Sequence, residues 1–115
     1  MVRSGSVSRL AVIGELNVDF VATGLATAPI LGQELLATGF EMTLGSASAI
    51  FACGAAKLGH DVTFISLVGR DDLGRFCIDA LQRAGVSTQN VSEDPALKTG
   101  VTISMSPGTS GRPLV

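Results

Sequence analysis

Two polar side chains, Asn17 and Asp19, follow the first apolar run of the sequence at a spacing that suits ligand binding. The run covers residues 10–13 and ends at Gly14. Residues two apart on an extended segment point to the same side, and ligands of open α/β sheets bind beyond the carboxyl ends of the strands. An amide beside a carboxylate there suits the hydroxyls of a neutral polyol. The alternative is that both side chains only make turn hydrogen bonds after the strand.

A second candidate binding segment is Gly45-Ser46-Ala47, which opens a run of small residues. Small side chains let a ligand approach the backbone amides, and a helix N-terminus favours anions or hydroxyl oxygens. The segment matches neither G-x-G-x-x-G nor the phosphate loop G-x-x-x-x-G-K-[ST], so it predicts no dinucleotide or P-loop site. The alternative is a serine N-cap on a tightly packed helix.

The elements that must position these segments alternate between strands and helices. Apolar runs predict a first strand at 10–13, buried on both faces, and a clear strand at 62–68. A weaker strand is expected near 86–91 and a half-buried one at 99–105. Helices are predicted at about 47–58, and from Asp71-Asp72 onward, each ending at a glycine. Such alternation predicts a parallel α/β sheet with right-handed crossovers.

The stretch 15–44 is too long to be a plain loop between the first strand and the first helix. Such loops take roughly 2–6 residues, and this stretch contains β-leaning pieces at 18–23 and 35–44. We therefore predict a small β excursion off the main sheet. The turn-rich tail after Met105 is a candidate second hairpin joining it.

Composition argues against several classes of protein: nucleic-acid binders, membrane proteins, secreted proteins, and redox or zinc proteins. Eight basic and ten acidic residues give a net charge of −2 without a basic stripe, which argues against nucleic-acid binding. The longest near-apolar stretch, 47–56, is too short to cross a membrane, and residues 1–9 carry no secretory signal. Cys53 and Cys77 form no C-x-x-C or zinc ligand set, so they are expected to be small buried thiols in a cytoplasmic protein rather than a redox pair. The low charged fraction, 16%, suggests a surface that another segment covers.

Four motifs occur in the order seen in the ribokinase/PfkB family of carbohydrate kinases, and the chain resembles that family over about 10–115. The motifs are Gly14-x-x-Asn17-x-Asp19; Gly45 followed by Phe51-Ala52, Gly59 and Gly69; Val68-Gly69-Arg70-Asp71-Asp72-Leu73-Gly74; and Lys98-Thr99-Gly100-Val101. The resemblance implies a Rossmann-like α/β domain with a small β-sheet lid. Residues 1–115 would be the N-terminal part of a single, incomplete domain, with lid segments at about 18–44 and 99–115.

The resemblance also implies ATP-dependent phosphorylation of a sugar or nucleoside hydroxyl, with ATP and Mg²⁺ as cofactors. Asn17 and Asp19 would hold substrate hydroxyls, and the backbone of Gly45, Ser46 and Ala47 would line the pocket. In the family, the catalytic Asp of a Gly-Ala-Gly-Asp-like motif and the ATP-binding loops lie in the C-terminal half. These 115 residues contain no such motif. We therefore expect no catalytic, cofactor-binding or metal-binding residue here, and no turnover by this chain alone.

Two positions depart from the family pattern. Gly45-Ser46 stands where the family has Gly-Gly, and Ile50 stands where it has an Asn that hydrogen-bonds the substrate. A hydrocarbon at that place cannot satisfy a buried hydroxyl, so Ile50 indicates another substrate or a lost one. His60 follows a helix-ending glycine at the opposite end of the next strand and is expected to be a surface residue.

Two other functions stay open from the sequence. One is a non-catalytic module that binds sugar or forms a homodimer through its lid or an exposed sheet edge. The other is a generic flavodoxin-like binding domain, which does not explain the long excursion before the first helix.

Overall fold

The fold is taken from a computed structural model, in which residues 7–107 are described. Within that range the elements are β1 (Arg9–Ile13), β2 (Asn17–Leu25), β3 (Gly39–Leu44), α1 (Ala47–Lys57), β4 (Asp61–Gly69), α2 (Asp72–Arg83), β5 (Ser87–Asp94) and β6 (Gly100–Pro107). They form two compact units. Among the described residues, unit 1 takes in 7–18 and 44–100, and unit 2 takes in Asp19–Thr43 and 101–107.

Unit 1 is built on a parallel sheet with the strand order β1-β4-β5. Ala11 pairs with Thr63 and Ile13 with Ile65, and Ile65 pairs in turn with Asn90 of β5. Helix α1 packs on β1 and β4, and α2 packs on β4 and β5. The predicted parallel α/β architecture is confirmed.

Glycines and caps set the ends of both helices as the sequence predicts. Gly59 and Gly85, which follow α1 and α2, have φ angles of 97° and 91°. These left-handed values carry a steric cost for residues with a Cβ but not for glycine. At the other end of α2, Asp71 is the N-cap, and its Oδ1 accepts a hydrogen bond from the Gly74 amide at 2.7 Å.

The core of unit 1 lies on the helix-covered face of the sheet. Alternate side chains of a strand share one face, and on β4 the buried ones are Val62, Phe64 and Val68. The helices contribute mostly small buried residues, which allow close packing: Ala49, Ala52 and Ala55 from α1, and Cys77 and Leu81 from α2. Burial raises the pKa of the Cys77 thiol to about 11. Cys53 is half-buried, and both thiols are free.

The opposite face of the same sheet is open. Ile13 is 77% exposed and Leu67 is 53% exposed, and β1 alternates between exposed and half-buried residues. The prediction that the first strand is buried on both faces is therefore wrong. The physical reason is that both described helices of unit 1 pack on the other face of this sheet, so unit 1 itself supplies no element that covers this second face.

Unit 2 contains a separate three-stranded sheet with the order β3-β2-β6. The rings of Phe20 and Phe40 stack with centroids 5.6 Å apart and an interplanar angle of 26°. The predicted β excursion before the first helix is confirmed, and β6 returns to join it. The tail predicted as a second hairpin continues past Pro107, and its residues 108–115 lie outside the described part of the chain. That this sheet acts as a lid stays a prediction.

Candidate functional site

The two segments singled out in the sequence, Asn17 and Gly45-Ser46-Ala47, meet at the carboxyl end of the unit 1 sheet. Asn17 begins β2, shortly after β1 ends, and Gly45 follows β3. The Asn17 carbonyl oxygen accepts a hydrogen bond from the Gly45 amide at 2.8 Å. This bond ties the start of β2 to the residues just before α1.

The Asn17 side chain is held there with an unused acceptor. Its neighbours Leu16 and Val18 are buried, and its own Oδ1 is buried without a hydrogen-bond partner. An unsatisfied buried polar atom costs about 1–3 kcal/mol. Such an atom in a folded protein is a candidate ligand contact, because a ligand donor would recover that free energy.

Ser46 caps α1 from a strained backbone conformation. Its φ and ψ are 74° and 119°, and it is the one residue other than glycine with a positive φ among those described. Its Oγ accepts a hydrogen bond from the Ala49 amide at 3.2 Å and lies 2.9 Å from the Ser48 Oγ. Ser46 is therefore an N-cap, as the alternative interpretation of this segment predicts. Its hydroxyl also lies beside that of Ser48, so two hydroxyls are paired at the start of the helix.

Ser48 is a residue that the sequence reasoning did not single out. A Cβ built on Gly14 would collide with the Ser48 side chain, so these two residues are in close contact. The signal in the sequence was Gly14 itself, since a glycine after a strand often marks a place where another group approaches the backbone.

The remaining predicted positions fall in different places. Asp19 lies two residues beyond Asn17 on β2, in unit 2, and is half-buried. Ile50, in the first turn of α1, is 58% exposed, so its hydrocarbon surface is open to a ligand. His60 lies before β4, where its Nδ1 accepts a hydrogen bond from the Ser8 amide at 3.1 Å. It is therefore at the amino end of the sheet, as predicted.

The N-cap of α2 is the most heavily hydrogen-bonded carboxylate among the described residues. Besides Gly74, Asp71 accepts hydrogen bonds from the Thr99 hydroxyl at 2.7 Å and from the Thr99 amide at 3.0 Å. The bonds from Thr99, with the one from Gly74, hold the pKa of the Asp71 carboxyl below its ordinary value. These contacts fit the helix-cap interpretation of the motif at 68–74.

Two open grooves lie away from this site. One, of about 300 Å³, is lined by Arg9, Leu10, Ala11, Asp61 and Thr63. The other, of about 570 Å³, is apolar and lined by Leu10, Phe51, Gly54, Ala55, Leu58 and His60. Neither includes a residue predicted to bind substrate.

The described residues do not fit ATP and Mg²⁺. A triphosphate needs free amides and positive charge, but the first-turn amide of α2 at Gly74 is already bound by Asp71, and Asp72 adds negative charge. At α1, the Ala49 amide is taken by Ser46 and the first turn has no charged residue. Within residues 7–107, no three metal-ligating side chains come together, and no helix is long and apolar enough to span a bilayer.

Comparisons with known proteins identify the family of the chain. The family described as pfkB family carbohydrate kinase matches residues 7–113. A ribokinase of Haemophilus influenzae is 31% identical over 93 residues, which are 80% of this chain and 30% of the relative. The chain therefore spans about 30% of the length of this curated relative.

Solved structures of sugar kinases have a similar fold over most of this chain. A sugar kinase of Pyrococcus horikoshii, in complex with ATP, aligns with a TM-score of 0.70 and 29% identity, over 90% of this chain and 32% of that one. A ribokinase of Cryptococcus neoformans, in complex with ADP, aligns with a TM-score of 0.74 and 26% identity, over 92% and 32% of the two chains. The resemblance inferred from the sequence motifs and the predicted fold class are both confirmed.

Proposed function

Since the chain belongs to the pfkB family of carbohydrate kinases, we propose that it is the substrate-binding and lid portion of an ATP-dependent sugar or nucleoside kinase. In the complete fold, the ATP γ-phosphate would pass to a substrate hydroxyl. The observation that carries the proposal is the junction of Asn17 and Gly45, where a buried amide oxygen has no partner. The free thiols of Cys53 and Cys77 support a cytoplasmic location.

The residues of this chain would bind and orient the substrate. The Asn17 Oδ1 accepts a hydrogen bond from one sugar hydroxyl, and Asp19 accepts from others through charge-assisted bonds. Gly45, Ser46 and Ala47 bring backbone groups and one hydroxyl close to Asn17. None of these groups supplies the electrostatic stabilisation that phosphoryl transfer needs, so the catalytic residue and the ATP and Mg²⁺ site belong to the part of the fold that this chain does not contain.

Ile50 narrows the class of substrate. A substrate hydroxyl directed at its exposed side chain would lose its hydrogen bonds to water without replacement, at a cost of about 1–3 kcal/mol. A deoxy position or a C–H surface would gain from the same contact. We therefore expect a preference for the deoxy member of a matched pair of sugars.

Calorimetric titration of the folded chain tests the proposal. The panel is D-ribose, 2-deoxy-D-ribose, D-fructose and adenosine, each also incubated with ATP and Mg²⁺ to measure phosphorylation. We expect saturable binding of at least one compound, loss of that binding in Asn17→Leu, and unchanged binding in the control His60→Ala. Absence of binding by a folded wild-type chain would overturn the substrate-binding role, and phosphorylation by this chain alone would overturn the assignment of catalysis to another part of the fold.

A second candidate function is self-association as a homodimer, through the lid or the exposed sheet edge. It is favoured by the exposed apolar side chains of the edge strand and of unit 2, where Phe40 is 66% and Ile103 is 65% exposed. Light scattering after size-exclusion chromatography tests it. A dimer that Ile13→Lys dissociates would identify the sheet edge, one that Phe40→Lys dissociates would identify the lid, and a wild-type monomer would exclude this function.

A further inference from the structure

The carboxylate of Asp71 does more than cap a helix. Two of its three hydrogen bonds go to a single residue that is 28 positions away in sequence, Thr99. Thr99 is 8% exposed, and it directly precedes β6, which begins at Gly100. Asp71 therefore fixes the chain at the point where it leaves unit 1.

Two glycines show how closely this junction is packed. A Cβ on Gly69 would lie 2.7 Å from both the Asp71 Oδ2 and the Leu97 carbonyl oxygen, and 2.8 Å from the Thr99 amide nitrogen. A Cβ on Gly74 would collide with the Gly69 carbonyl oxygen and lie 3.0 Å from the Thr99 hydroxyl. Because these obstacles include backbone atoms, Thr99 has little freedom to move relative to α2.

The fixed segment lies against the candidate substrate site. A Cβ on Gly100 would lie 3.5 Å from the Cβ of Asn17, which is ordinary van der Waals contact. Asn17 in turn holds Gly45 through its carbonyl oxygen. A chain of direct contacts thus runs from Asp71 through Thr99 and Gly100 to Asn17.

The Asn17 side chain needs such support. Its Oδ1 makes no hydrogen bond of its own, so packing by neighbouring groups must set where that oxygen points. Binding sites work best when their polar groups are held in place before the ligand arrives.

We infer that Asp71 is a positioning residue for substrate binding, acting through Thr99 and Gly100 on the side chain of Asn17. The inference rests on the proposed function, since it concerns the same site. It links the motifs at 68–74 and 98–101 to one site, although most of α2 and all of β5 separate them in sequence. Asp71 itself touches no substrate in this arrangement.

Variants at Thr99 test the inference while keeping the helix cap. Thr99→Val keeps nearly the same side-chain shape but removes the hydroxyl that donates to Asp71. The matched variant Thr99→Ser keeps that hydroxyl. Asp71→Asn is a second variant, because Asn is an equally good N-cap but places an amide donor against the Thr99 amide. The control for general destabilisation is Gly85→Ala, which strains a φ of +91° with only the Ala56 Cβ nearby, at 3.9 Å.

Two readouts are measured: the affinity for the panel sugar that binds wild type, and the ¹H–¹⁵N signals of the Asn17 side-chain amide without sugar. We expect Thr99→Val and Asp71→Asn to weaken binding roughly tenfold, the size of one hydrogen-bond loss, and to shift the Asn17 signals. Thr99→Ser should match wild type. Gly85→Ala should lower the melting temperature and leave affinity and signals unchanged.

The outcomes distinguish a failure of the positioning role of Asp71 from a failure of the proposed sugar binding. Unchanged Asn17 signals in both Thr99→Val and Asp71→Asn overturn the inference, as does an equal loss of affinity in Gly85→Ala. If wild type binds no sugar, the proposed function fails, and the Asn17 signals still decide whether Asp71 controls that side chain.

Discussion

The two helices of unit 1 begin in physically opposite ways. Asp71 caps α2 from an ordinary extended backbone, with φ −146° and ψ 176°, and its carboxylate is used by three donors. Ser46 caps α1 from a φ of 74°, next to an amide oxygen of Asn17 that has no partner. Strain and unsatisfied groups concentrate at functional sites. The start of α2 is thus fully hydrogen-bonded, whereas the start of α1 keeps the strain and the unused acceptor that the proposed binding site requires.

The largest effect is expected at the start of α2. Gly74→Ala places a Cβ against the backbone carbonyl of Gly69, which cannot turn aside as a side chain would. We expect the free energy of unfolding to fall by about 3 kcal/mol, the upper part of the range for overpacking, as measured by urea denaturation.

Gly54→Ala is the matched control for this substitution. Gly54 lies within α1 and has nothing within 4 Å of its missing Cβ, so alanine should raise stability there by about 1 kcal/mol. If both variants changed stability alike, the close packing around Asp71 and Thr99 would not be what limits position 74.

A next, smaller effect is the pH dependence of the α2 cap. Because hydrogen bonds from Thr99 and Gly74 lower the pKa of Asp71 from its ordinary 3.8, the folded state binds this proton less readily than the unfolded state. The stability that Asp71 contributes is then fully present above pH 3.8 and is lost as pH falls through the lowered folded-state pKa.

Thermal melts between pH 7 and pH 2 test this. Wild type should lose more melting temperature over the lowest part of that range than Asp71→Asn, since Asn has no proton to gain. Parallel curves for the two proteins would show that the carboxylate charge contributes nothing to the cap.

The sequence predicted those features of the two helix starts that depend on residues close together in the chain, and it missed those that depend on distant ones. Asp71 as a cap, and Gly59 and Gly85 as helix ends, depend on groups within a few residues, so local spacing was enough. The contact of Gly100 with Asn17 joins segments more than eighty residues apart, and no local pattern encodes it. The open face at Ile13 was missed for a related reason: an apolar run predicts a strand, but burial depends on which elements lie beside it.

A moderate effect is expected where β1 meets α1. Gly14→Ala places a Cβ against the Ser48 side chain rather than against backbone, so the cost should be smaller, about 2 kcal/mol. The double variant Gly14→Ala/Ser48→Gly removes the obstacle and should recover most of that loss. A double-mutant cycle in urea measures the coupling, and additive effects would mean that the two residues do not press on each other.

The smallest effect, and the one that addresses the contrast between the two caps most directly, is Ser46→Gly. Glycine adopts a positive φ without steric cost, so the variant relieves strain of about 1–3 kcal/mol. Against this stand a few tenths of a kcal/mol for the weaker cap, about 0.5–1 kcal/mol for the more flexible unfolded chain, and the lost bond to Ser48. We expect a net gain in unfolding free energy of about 0.5 kcal/mol.

Ser48→Ala is the control for Ser46→Gly, because it removes the same hydroxyl pair without changing the backbone at Ser46, and it should be slightly destabilising. A loss of 1 kcal/mol or more in Ser46→Gly would mean that the hydroxyl outweighs the strain, and the start of α1 would then be stabilised in the same way as the start of α2. A gain in stability accompanied by weaker sugar binding would mean instead that the serine is kept at this position for its hydroxyl, at the expense of stability.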